Sequence, residues 1–149
     1  MLLTIGCGNG DAPSCSLGSP EPIFQPDMTG IESHQFSGDD QNSTEQVQFT
    51  NGTTLLVHQS GCDQLTQLFQ FTIPADTTSL RSQTVQSFRM VGGQNPDLAV
   101  FGLFANAMEE VLPTPVVRNQ PYELQPGMNV TLDEVTGGSE RILRVRFTN

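Results

Sequence analysis

Between residues 45 and 73 apolar and polar side chains alternate with the two-residue period of half-buried strands. Val47 and Phe49 share one side of the run 45–50, and Phe69, Phe71 and Ile73 share one side of the run 67–73. Asn51-Gly52 signals a two-residue hairpin, since a type I′ turn needs φ > 0 at both central positions. Such a turn pairs Thr50 with Thr53, Val47 with Leu56 and Glu45 with His58. Pro74 ends the third strand. The C-terminal end follows the same logic around Gly137-Gly138, which pairs Leu132 with Leu143, Val130 with Val145 and Met128 with Phe147. All six side chains then fall on one face, and Glu134 stands opposite Arg141.

A different period separates these two strand groups. Asn95-Pro96-Asp97 offers an N-cap, a proline at the first helical position and an early acid. Phe101, Phe104, Met108 and Val111 follow at helical spacing, with Leu98, Ala105 and Leu112 beside them, and Pro113 and Pro115 stop the helix. Residues 77–91 fit a short helix through Leu80, Thr84 and Phe88, although Phe88 and Met90 also fit a strand. Tyr122 and Leu124 suggest one more strand before Pro126-Gly127. The expected fold is a two-layer α+β domain with β-β-β-α-β-β order. An antiparallel sheet of five to six strands carries one main helix on one face.

Residues 8–44 show neither period. Of the 39 Leu, Ile, Val and Phe residues, five lie in residues 9–46 and 31 in residues 47–149. Pro13, Pro20, Pro22 and Pro26 interrupt a stretch rich in Gly, Ser, Asp and Asn, a composition that buries too little apolar surface to fold alone. The expected organisation is therefore a leader at 1–7, a polar tether at 8–44 and one folded domain at 45–149.

Charge narrows the function classes. Sixteen acidic residues against six basic ones give a formal net charge of −10, and all six bases are arginine. So acidic a chain repels phosphate backbones, which argues against nucleic acid as a partner. Without lysine, a Schiff-base mechanism and a Walker-type phosphate loop are excluded. No apolar run reaches the length of a membrane-spanning helix.

The first residues, Met-Leu-Leu-Thr-Ile-Gly-Cys-Gly, place a short apolar run before Thr4-Ile5-Gly6-Cys7. This resembles the end of a bacterial lipoprotein signal peptide over residues 2–7. It departs from that pattern in lacking a basic segment and in having Ile5 where a small residue is usual. The resemblance implies that Cys7 carries lipid, that a membrane is a partner through that anchor, and that the chain belongs to the bacterial cell envelope. Gly8 after the cysteine implies the outer membrane. Residues 8–44 would hold the domain away from the lipid surface. With Cys7 assigned to lipid, Cys15 and Cys62 remain as a disulfide pair closing a loop of about 48 residues, which stabilises by roughly 4 kcal/mol. The alternatives leave Cys62 an inert free cysteine or make it a reactive thiol, the latter opposed by Asp63, which raises the thiol pKa.

Chemistry beyond this is sparse. His34 and His58 are far apart in sequence, and no His-Glu-x-x-His or Cys-x-x-Cys occurs. Asp39, Asp40, Asn42 and Glu45 form an acidic loop without EF-hand spacing. No metal or cofactor is expected. The pair Glu45–His58 is the most enzyme-like feature, because a carboxylate can orient an imidazole for acid–base work. The leading expectation is a non-catalytic envelope lipoprotein that binds a protein or envelope polymer, through a second sheet face carrying Gln46, Gln48, Leu55 and Val57. The alternatives are a small envelope hydrolase using His58 and Glu45, and an acidic inhibitor or immunity-type protein.

Overall fold

The computed structural model describes residues 18–149. Seven antiparallel strands form one open sheet: β1 (Ile31–Gly38), β2 (Asn42–Phe49), β3 (Thr54–Ser60), β4 (Thr66–Pro74), β5 (Tyr122–Gln125), β6 (Met128–Gly137) and β7 (Glu140–Thr148). Their spatial order is β1-β2-β3-β4-β7-β6-β5. Two helices, α1 (Leu80–Gln94) and α2 (Ala99–Val111), are joined by a 3-10 turn at Pro96–Leu98. They connect β4 to the far edge, from which β5, β6 and β7 return to the centre.

Among the described residues the domain is thus α+β and antiparallel, with four strands before the helices, a second helix and seven strands. The additional strand is β1, inside the segment expected to be a tether. Its exposed sequence carries no apolar alternation, and it is held by pairing with β2 along its length. A strand that buries little side-chain surface leaves no hydrophobic pattern to detect. Phe24, also in that segment, is fully buried against Phe49 and Phe101. The folded unit therefore starts well before residue 45.

One sheet face builds the core. Val47, Phe49, Leu55, Val57, Phe69, Phe71, Val130, Leu132, Leu143, Val145 and Phe147 are all buried there. Helix α1 contributes Val85, Phe88 and Val91 at helical spacing, and α2 contributes Phe101, Ala105 and Met108. The Phe88 ring centroid lies 5.4–5.8 Å from those of Phe69, Phe71, Phe101 and Phe147, so one side chain ties both helices to the central strands.

Helix ends follow their capping residues. Ser79 caps α1 by accepting from the Ser82 N–H, and Asn95 accepts from the Asp97 N–H before Pro96. Arg81 donates to the carbonyls of Leu112 and Glu109, so a cation meets the negative end of α2. The helices approach closely at Gly92, where a Cβ would stand 2.6 Å from the Gly102 nitrogen.

Both hairpin registers differ from the expected ones. Phe49 N–H donates to Thr53 O and Gly52 N–H to Phe49 O, so three residues, 50–52, form the first loop. Gly52 alone has positive φ (+89°), as in a type I turn closed by a glycine bulge. The extra loop residue shifts the ladder by one. Glu45 then faces Val57, Val47 faces Leu55 and Thr44 faces His58. Leu55 and Val57 turn into the core as a result. In the second hairpin Gly138-Ser139 is the turn, with Gly138 at φ +61°. That shift is two residues, so every side chain keeps its face: Val130 meets Phe147 and Leu132 meets Val145.

Candidate functional site

The one-residue shift separates the expected Glu45–His58 pair. Glu45 sits on the core side of β2, fully buried, while His58 lies on the other face of β3, within 3.1 Å (Nδ1) of Thr44 Oγ1. The two cannot act as a dyad.

Glu45 has other partners. His34, two positions along β1 from Phe36, which faces Glu45 across the strand pair, brings Nε2 to 2.7 Å from Glu45 Oε1. The backbone N–H of Phe24 donates to Oε1 and that of Ile23 to Oε2, each at 2.8 Å. A carboxylate can only accept, so three donors converge on it. The segment just before β1 is thereby strapped across the core face, and Gln59 adds a bond from its side-chain N–H to Glu21 O. Gln67 in turn donates to Gln59 Oε1. This arrangement fixes a chain segment; both carboxylate oxygens are occupied by backbone, and it presents no base to a substrate.

Among the described residues no helix packs on the opposite sheet face. Gln46 and Gln48 lie there as expected, but Leu55 and Val57 do not. Their places are taken by the half-buried Leu56 and His58, followed across the sheet by Leu68, Gln70, Ile142, Arg144 and the exposed Arg146. The signal that was missed is the loop length at Asn51-Gly52, which decides which leucine of Leu55-Leu56 faces out.

The remaining expected positions divide as follows. Cys7 and Cys15 lie outside the described residues, so the lipid and disulfide assignments extend beyond them. Cys62 is not a free thiol, which removes the reactive-thiol alternative. Asp39 caps the β1–β2 turn by accepting from the N–H groups of Gln41 and Asn42, and these backbone bonds hold its carboxyl below the ordinary value of 3.8. Glu109 is likewise lowered by its hydrogen bond to Arg89. A deeper ion cluster joins the loop after β4 to the second hairpin: Arg141 binds Glu134, Asp76 and the Thr78 carbonyl, and Arg118 also binds Glu134. Among the described residues no cluster of three metal-ligating side chains occurs, and no helix is long and apolar enough to cross a membrane.

No known family pattern, no characterised protein and no solved structure matches this chain.

Proposed function

We propose that this protein is a non-catalytic, lipid-anchored module of the bacterial cell envelope whose domain binds a protein or an envelope polymer through the helix-free sheet face. The observation that carries the binding surface is the composition of that face. Gln46, Gln48 and Gln70 alternate with Leu56, Leu68 and Ile142 over adjacent strands, a flat mixture of amide donors and acceptors with apolar contact area. Interfaces outside obligate dimers combine apolar and hydrogen-bonding surface in this way. The burial of Glu45 under the strap supports a non-catalytic role. The lipobox-like start at Cys7 supports the envelope location.

Photocrosslinking in the native host tests the surface. A photoreactive residue at Gln46 or Gln70 is expected to give a discrete adduct, whereas one at Leu103, the most exposed apolar side chain on α2, gives none. Adducts from Leu103 alone would move the contact surface to the helical layer and overturn the proposal.

A further inference from the structure

We infer that the cleft between Arg144 and Arg146, on the helix-free face of β7, is a binding site for a single oxyanion group, a phosphate or a carboxylate.

The six arginines of this chain fall into two classes. Four are committed to internal acceptors. Arg81 serves the carbonyls of Glu109 and Leu112, Arg89 serves Glu109 and Asn106, and Arg118 and Arg141 share Glu134. Among the described residues Arg144 makes only a long ion pair with Asp133, and Arg146 makes none. The nearest carboxylate oxygen to Arg144, on Asp133, stands 3.7 Å away, and the Arg144 Nε is buried without a hydrogen-bond partner. Arg146 is exposed and has no hydrogen bond or ion pair within the described residues.

Register brings the two together. They are two residues apart on β7, hence on one face. Arg146 lies between Leu68 of β4 and Thr131 of β6, and Arg144 between Gln70 and Asp133. Asn119, held to β6 by its N–H bond to the Leu132 carbonyl, borders the same cleft. The cleft measures about 70 Å³. A cleft of this volume, open on one side to solvent, has room for several waters and admits a small charged head group. The unpartnered Arg144 Nε–H and the solvent-open guanidinium of Arg146 match oxyanion geometry, and the Thr131 and Asn119 side chains add polar capacity at the rim. Asp133 opposes the anion, but one carboxylate against two guanidiniums leaves the spot locally positive in a chain whose net charge is −10.

The cleft lies on the face proposed above for partner binding, yet it requires neither that partner nor the lipid anchor. Titration of the full chain with inorganic phosphate, and separately with acetate, at constant ionic strength, tests it through the arginine Nε–Hε resonances. Saturable shifts at Arg144 and Arg146, absent with chloride and absent from the other four arginines, are expected. Arg146→Gln should abolish them, and Asp133→Asn should tighten binding roughly fivefold by removing a competing charge. Saturation with phosphate alone, acetate alone or both identifies the oxyanion. Equal shifts at all six arginines, shifts with chloride, or no shift at all overturn the inference. Failure here leaves the crosslinking result standing, and the reverse also holds.

Discussion

Glu45 Oε1 stands 2.7 Å from His34 Nε2, on the face of the sheet opposite to His58. The carboxylate that looks catalytic in the sequence is the fastening point of the strap that carries Phe24 into the core. Replacing Glu45 by alanine strands two backbone N–H groups and an imidazole at once. A loss of about 3 kcal/mol is expected by urea denaturation, with a smaller loss, about 1–2 kcal/mol, for His34→Ala. Equal stability of Glu45→Ala and the parent would remove the strap from the account.

The three-residue loop at Thr50–Gly52 sorts two adjacent leucines. Leu55→Ala opens a cavity in the core and should cost about 2–5 kcal/mol. Leu56→Ala, on the helix-free face, should cost about 1 kcal/mol or less. The opposite ranking would restore the two-residue turn and its register.

Neighbouring glycines of α1 should respond with opposite signs. Gly92→Ala pushes a Cβ against the Gly102 backbone, which cannot yield as a side-chain end can, so thermal unfolding should fall markedly. Gly93→Ala meets nothing within 4 Å and should stabilise by up to about 1 kcal/mol, since alanine loses less backbone entropy in a helix.

Acid should weaken the β1–β2 turn through Asp39. Its folded pKa lies below the unfolded value near 3.8, so its contribution is present above that value and is lost as pH falls through the folded one. Glu109 acts in the same direction through Arg89. A carboxyl titration by NMR should place the Asp39 midpoint below 3.8, and Asp39→Ala should reduce the slope of stability against pH in that range. An Asp39 midpoint at or above 3.8 would discard the capping role.

The sequence made the strands with strict alternation and the aromatic core legible, while Asn95 caps the 3-10 turn ahead of α2 rather than α2 itself, which starts at Ala99. What it could not convey depends on partners distant in the chain. Strand β1 is defined by its ladder with β2 rather than by its own side chains, and Phe24 by the slot between Phe49 and Phe101 that receives it. The second hairpin tolerated a register error of two residues because parity preserves faces. The first did not tolerate an error of one, which moved Glu45 away from His58 and gave it to His34. Arg144 and Arg146 stood out only once the other four arginines had found their acceptors.

The most direct test of the envelope assignment is an intact mass of the chain recovered from its native host's membrane fraction, alkylated with and without prior reduction. Lipid mass on Cys7, with Cys15 and Cys62 labelled only after reduction, is the expected result. A chain of unmodified mass in the soluble fraction, with Cys7 alkylated, would contradict it.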